Sequence, residues 1–386
     1  MTYELGKGTG PLSGVKVVEV AGIGPGPHAC MILADLGADV IRIDRPGGQL
    51  LTGGSHDLLN RGRPSVALDL KEPEAVQIVL DLVENADVLI EGMRPGVAER
   101  LGFGPEECHT RNPRLVYGRM TGWGQDGPWA SAAGHDMNYI AITGTLHGLG
   151  QVKDKPQFPT NLVGDFGGGS TDLVIGVLAA LLEARLSGQG QVVDAAIVDG
   201  TASLNAMGAA FLASGTFKEE RAANLLDGGV PYYDIYETAD GRHMSVGALE
   251  PQFYEELVEL LGIRETAPDR YDVDRTEELR SLIAARFKER TQEEWSAVFD
   301  GTDACVAPIL PMSQATHHPH LEARGTYVER DGLVQPAPAP RFSRTQATLD
   351  LPPAPAPGAH TREALAAWGI ADVDALIESG AAVQAD

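Results

Sequence analysis

The feature that most restricts the fold is a β-branched run, Val15-Lys-Val-Val-Glu-Val20, followed by a Gly/Pro turn, a helix-compatible stretch from about His28 to Gly37, and a second run, Asp39-Val-Ile-Arg-Ile-Asp44. Two strands joined through a helix lie parallel, because the crossover carries the chain back to the end of the sheet where it began. The pattern recurs as a helix around Glu72 to Glu84 and strands Asp87 to Glu91 and Arg114 to Met120, so an α/β fold on an open parallel sheet is predicted. A nearly continuous apolar stretch, Ser170 to Ser187, predicts a central helix covered on most sides, ended by Gly188-Gln-Gly190 and followed by a strand at Gln191 to Ala195.

After residue 225 the texture changes. Tyr232 to Glu237 and His243 to Ala248 flank Ala239-Asp240-Gly241 and read as an antiparallel hairpin. Pro251 opens a helix through Leu261, and further helices at Thr276 to Lys288 and Thr291 to Phe299 complete a small α+β domain. A Pro/Ala-rich arm over 335–358 cannot form helix or central strand, and a last helix is expected from Thr361 to Gly380. The division expected is 1–224 for a large domain, 225–325 for a small one, and 326–386 for an arm and helix returning to the large domain.

With 30 Lys and Arg against 54 Asp and Glu, the net charge of -24 argues against a nucleic-acid partner. A few clustered arginines could still hold a small anion. Three cysteines without a C-x-x-C pair fit a reducing, cytoplasmic setting, and the first residues, Met1 to Lys7, lack a signal peptide's pattern. Leu173 to Leu182 is too short to span a bilayer, which needs about 20 residues, so no membrane association is expected.

Gly22-Ile-Gly24-Pro-Gly26-Pro27, with Asp44 closing the second strand, imitates a dinucleotide fingerprint, but its prolines lack the N–H groups a pyrophosphate cradle would use. A tight strand-to-helix turn is the plainer reading. Arg42, Arg45, Arg94, Arg100 and Arg119 cluster where strands end, which is where open α/β sheets bind ligands, and guanidinium forks suit phosphate. Each taken singly is as well explained by solvated surface charge. His135 precedes Asp136, and a neighbouring carboxylate orients an imidazole and favours its protonated form, as an acid/base histidine requires, although a lone histidine is usually structural. Asp165 stands before Gly167-Gly168-Gly169, read as a turn into the long helix. Ser170 or Thr171 is the expected cap there, which leaves Asp165 free and puts helix N-terminal amides beside a developing anion. Glu250 before Pro251 reads by itself as a helix-opening residue.

Taken together these segments resemble the family III CoA-transferase superfamily, from Pro11-Leu-Ser-Gly-Val-Lys-Val-Val-Glu19 through Gly188-Gln-Gly-Gln-Val-Val-Asp-Ala-Ala196 to His318-Pro-His-Leu-Glu-Ala-Arg-Gly325. The resemblance implies an interlocked homodimer, each subunit with a Rossmann-like large domain and a small domain, and a site where the large domain of one chain meets the small domain of the other. It makes Asp165 the shared catalytic carboxylate: a nucleophile in the transferase branch, a proton-transfer base in the racemase branch. The racemase branch adds a histidine and a glutamate, matched by His135 and Glu250, and the residues Gly-His-Asp-x-Asn-Tyr are all present. Its CoA contacts fall on Ile23, Arg45, Leu68, Lys71, Arg94, Arg100, Gly134, Asn138 and Tyr139. The implied activity is inversion of the α-carbon of 2-methylacyl-CoA thioesters by two-base proton transfer through an enolate. CoA is then part of the substrate, and neither a separate cofactor nor a metal is called for. A transferase using Asp165 as nucleophile is the alternative, and a CoA-sensing protein with a dead site a more distant one. The Gly-rich segment Pro46 to Leu59, the loop Gln151 to Phe158 and the Pro/Ala arm match no motif.

Overall fold

The computed structural model describes residues 8–48, 52, 54–151, 154–348 and 351–385. The expectation for Met1 to Lys7 lies outside them, as do parts of the 46–59 segment, the 151–158 loop and the Pro/Ala arm. The chain divides into two units, the first comprising 1–143, 159–204 and 325–386, the second 144–158 and 205–324.

The first unit opens with β1 (Lys16–Val20), α1 (Pro25–Asp35) and β2 (Asp39–Asp44), and β1 and β2 pair in parallel from Lys16 opposite Asp39 to Val20 opposite Ile43. Helix α1 begins at Pro25, earlier than expected, because proline at the first helical position is already fixed near helical φ and its missing N–H would have had no partner. Then follow β3 (Ser65–Leu68), α2 (Pro73–Glu84), β4 (Val88–Glu91), α3 (Val97–Leu101), α4 (Pro105–Arg111), β5 (Val116–Thr121) and α5 (Asp136–Ile142). The strand order, with β6 (Val192–Ala196) at one edge, is β3-β2-β1-β4-β5-β6, all parallel. Side chains alternate through the sheet: Val18, Ile41 and Leu89 pack with α2 on one face, Val17, Val40 and Val88 with α1 and the long helix on the other. Each fully buried aliphatic side chain contributes about 1.5–3 kcal/mol.

That long helix departs from expectation in three ways. The glycine-rich segment is itself helical, a π-helix (Leu162–Thr171) that runs directly into α6 (Asp172–Ser187). Ser170 and Thr171 therefore do not cap; both hydroxyls donate back to the Phe166 carbonyl, at 2.9 and 2.8 Å. Helix α6 buries only one side, leaving Ile175, Leu182 and Leu186 58%, 64% and 83% exposed. The continuous helix, Leu162–Ser187, has 26 residues, long and apolar enough by length and composition to cross a membrane. The glycines serve close packing against α7 (Ile197–Leu204): a Cβ on Gly168 would sit 2.4 Å from the Thr201 nitrogen, and one on Gly200 1.9 Å from the Gly168 carbonyl.

The second unit contains α8 (Ala206–Ala213), the antiparallel pair β7 (Tyr233–Glu237) and β8 (His243–Gly247), α9 (Pro251–Leu260), α10 (Thr276–Phe287), α11 (Gln292–Phe299), the third strand β9 (Val306–Pro308), α12 (Met312–Ala315) and α13 (Pro319–Arg324). Its core gathers Tyr236, Met244, Leu257, Ile283, Phe287 and Trp295. This unit takes in 144–158 and starts its main stretch at 205 rather than near 225; α8 is apolar throughout, so its sequence looks like the core helices before it. The chain then returns to the first unit through β10 (Tyr327–Arg330), β11 (Leu333–Pro336), α14 (Thr361–Ala367), α15 (Val373–Ser379) and β12 (Ala382–Val383), which pairs antiparallel with β3. The single terminal helix expected is two, broken at Trp368-Gly369, where Gly369 takes φ +85°.

Candidate active site

Strand β1 pairs with β2 on one side and β4 on the other, so the order of strands reverses beside it, and open α/β sheets hold ligands in the crevice that such a reversal creates. A cavity lies there, lined by Glu19, Ile23, Pro25, Glu91 and Met120 among others. Its two carboxylates are held within the sheet. Glu19 faces Arg63 at 3.1 Å with both side chains buried. Glu91 accepts from the Arg119 Nε at 3.0 Å and from the Met93 N–H at 2.6 Å, while Arg119 also reaches Glu99. Arg42 pairs with Asp44 at 3.0 Å.

These pairs correct the reading of the strand-end arginines. Arg42 and Arg119 are buried and paired with carboxylates of the same unit: Arg119 through its whole fork, Arg42 through Nε alone, its Nη1 buried without a hydrogen-bond partner among the described residues. Arg45, Arg94 and Arg100 are exposed and, among the described residues, form no ion pair; Lys71 is exposed as well. Ile23 is 80% exposed, whereas the Leu68 side chain is sealed in the core and could meet a ligand only through its backbone. Tyr139 is buried against Trp123, and its hydroxyl donates to the Gly134 carbonyl. Asn138 accepts the His135 N–H at 3.0 Å, which fixes the start of α5. The Tyr139 hydroxyl is thereby occupied, whereas the exposed Asn138 side chain bonds to described residues only through its oxygen.

The Asp165 carboxylate reaches the start of α1. A Cβ on Gly24, the residue before that helix, would stand 3.4 Å from Asp165 Oδ2. Asn161 donates to the same oxygen at 3.3 Å. The expected partner of Asp136 was the His135 imidazole, but its buried carboxylate instead accepts the Asp165 backbone N–H at 2.7 Å, and its Oδ1 has no hydrogen-bond partner. The geometry explains why: the first helical residue turns inward while the exposed His135 remains outside, and Gly164 permits the approach, since a Cβ there would lie 2.5 Å from Asp136 Oδ2. The amides of Gly167 to Gly169 also lie inside the π-helix rather than at an open N-terminus, so the anion-stabilising role expected of them falls away.

Burial raises the Asp165 pKa, and the Asp136 charge raises it further, against the Asn161 hydrogen bond and the His135 charge. His135 thus stands close enough to act on Asp165 electrostatically. Sequence reasoning missed His28, whose Nδ1 meets Ser170 Oγ at 2.6 Å and whose ring stacks on Phe166 at 4.3 Å, tying α1 to the helical turn that carries Asp165. No local signal could reveal a pairing 142 residues apart. Glu250 belongs to the second unit, exposed, immediately before α9. Among the described residues no group of three or more His, Cys, Asp or Glu is arranged to hold a metal.

The mixed α/β chain carries a mainly parallel sheet with a crevice at its strand-order reversal, exposed arginines after its strands and a half-buried Asp165 near the start of α1. The chain belongs to the CoA-transferase family III, whose profile matches residues 12–361. It is 42% identical to alpha-methylacyl-CoA racemase of Mus musculus over 97% of this chain and 98% of that one, and 41% identical to the Homo sapiens racemase over 95% and 98%. The crystal structure of a CAIB/BAIF family protein from Brucella suis superposes with a TM-score of 0.81 at 28% identity, over 93% of this chain and 100% of that one.

Proposed function

We propose that the chain is a racemase that inverts the α-carbon of 2-methylacyl-CoA thioesters. The observation that carries the reading is the likeness to racemases over nearly the whole chain. Asp165, half-buried and pushed upward in pKa by burial and by the Asp136 charge, suits a group that must both take and give a proton.

In this scheme one group removes the α-proton from one face of the substrate and the pair of bonding electrons moves into the thioester, giving a planar enolate. The opposed group then delivers a proton to the other face. Asp165 serves one face and His135 the other, with acid and base exchanging roles for the opposite hand, and Glu250 is the third acid/base residue of the scheme. General acid–base catalysis of this kind contributes about 10²–10⁴-fold. Asp136 acts on Asp165: it fixes the backbone and keeps the carboxyl protonatable. Arg45, Arg94, Arg100 and Lys71 hold the phosphates of CoA, with Ile23, the Leu68 backbone, Gly134, Asn138 and Tyr139 shaping the site around it. The chemistry needs no separate cofactor, because the thioester itself accepts the charge.

The proposal includes a Rossmann-like large domain, an interlocked homodimer and a cytoplasmic setting. Exposed Ile175, Leu182 and Leu186 on α6 and Met207 and Leu212 on α8 support a second copy covering them. A fully active monomer by light scattering would remove that part.

In D2O the enzyme should wash deuterium into the α-position of either 2-methylacyl-CoA enantiomer without a second acid present. His135→Ala should depress exchange from one hand far more than from the other. Absence of exchange, with a hydroxylamine-sensitive adduct at Asp165 and transfer of CoA to a free acid, would establish the transferase instead.

A further inference from the structure

In the second unit, Arg270 lies among three tyrosine rings. Its guanidinium carbon is 4.9 Å from the Tyr232 centroid, 4.9 Å from Tyr254 and 4.7 Å from Tyr271. In a chain with 54 acidic residues this guanidinium forms no ion pair with any described residue. Its Nη1 donates to the carbonyls of Leu249 at 3.0 Å and Ala248 at 3.4 Å, and its Nη2 to the Tyr271 hydroxyl. Those carbonyls belong to the two residues immediately before Glu250.

Glu250 has extended backbone at φ −74° and ψ 148°, and its carbonyl accepts the N–H of Tyr254, one of the three rings. Its carboxylate is exposed and makes no hydrogen bond or ion pair with a described residue. With no partner among the described residues, this carboxylate is placed by the backbone that fixes its Cα–Cβ direction. That backbone is fixed on one side by Pro251 and the first turn of α9, and on the other by Arg270 Nη1 at the Leu249 and Ala248 carbonyls. A planar guanidinium suits this task better than an ammonium, because it stacks on rings while Nη1 meets the carbonyls and Nη2 the Tyr271 hydroxyl.

We propose that Arg270 is a positioning residue for Glu250, setting through the Ala248 and Leu249 carbonyls the direction in which that carboxylate points. The proposal rests on the reading of Glu250 as an acid/base residue of the racemase reaction. It makes a three-tyrosine cage, which touches no substrate, a determinant of how evenly the two hands are turned over.

Arg270→Lys keeps the charge over the rings and loses the fork. Exchange of the α-hydrogen in D2O is followed from each enantiomer of a 2-methylacyl-CoA for the wild type, E250Q, R270K and the double variant. E250Q is expected to slow one hand. R270K should slow the same hand by about fivefold more than the other with KM little changed, and the double variant should be no slower than E250Q, as for residues acting in series. If E250Q is one-handed while R270K slows both hands alike or neither, the positioning role is overturned and the cage serves packing only. If E250Q is itself even-handed, the reading of Glu250 fails and the proposal falls with it. Should R270K not fold, Tyr271→Phe on its exposed ring removes one partner of the guanidinium without touching the core. The same hand should then be slowed to a smaller degree, and an even-handed or silent Y271F overturns the proposal.

Discussion

Arg42 and Arg45 stand three residues apart at the end of one strand, yet Arg42 is buried on Asp44 while Arg45 is exposed and forms no ion pair among the described residues. The same division separates Arg119, shared by Glu91 and Glu99, from Arg94, which lies between those two carboxylates, and Arg100, which follows the second. A paired guanidinium inside the sheet has fixed geometry, and in Arg119 every nitrogen is already bonded to a carboxylate. An unpaired guanidinium at the rim keeps its donors for a ligand and contributes little to the fold. Residue type and strand-end position therefore do not identify a phosphate ligand. Whether a carboxylate has already taken the fork does.

The largest expected effect breaks a buried pair. Arg63→Met strands Glu19 in the core as an uncompensated charge and should cost about 3–5 kcal/mol of stability, read by denaturant unfolding. A loss below about 1 kcal/mol would place Arg63 with the rim arginines. Next, Arg45→Ala and Arg94→Ala should each raise KM for the CoA thioester by about tenfold, about 1.4 kcal/mol, with kcat and Tm unchanged. A fall in kcat at constant KM would assign them to the chemistry.

Asp136→Asn keeps an acceptor for the Asp165 N–H but removes the like charge. The Asp165 pKa should fall, and the acid limb of kcat/KM should move to lower pH in the direction where Asp165 is the base. An unmoved profile would reduce Asp136 to a backbone prop. The smallest effect concerns stability. Because the folded-state pKa of Asp165 is raised, its favourable contribution is present below the ordinary carboxylate range and is lost as pH rises through the folded value. Asp165→Asn should therefore melt slightly higher than wild type at neutral pH, with the advantage vanishing in acid. A variant less stable at neutral pH would mean that the carboxylate is held by interactions stronger than the Asn161 hydrogen bond.

The parallel sheet was legible because its signal is local. Runs such as Val15 to Val20 and Asp39 to Asp44 are short, β-branched and separated by a helix-length interval, and buried parallel strands carry that pattern whatever surrounds them. The hairpin about Ala239-Asp240-Gly241 was legible for the same reason, through turn chemistry confined to a few residues. The glycine run before α6 was misread as a turn, since glycine required by a neighbouring backbone and glycine required by a turn are spelled alike. Only the 1.9 Å that a Cβ on Gly200 would leave to the Gly168 carbonyl distinguishes them.

Residue types and local pattern pointed to Asp165, His135 and the strand-end arginines as candidates, and Glu250 stood out only through the family resemblance. The contacts these residues make were decided by tertiary structure. Asp136 lies next to His135 in the chain but serves Asp165, 29 residues away; His28 meets Ser170 across 142 residues; and Arg42 is paired where Arg45 is exposed. Propensity and periodicity act over a few residues, whereas hydrogen bonds, ion pairs and burial depend on which segments the fold brings within about 3 Å of one another.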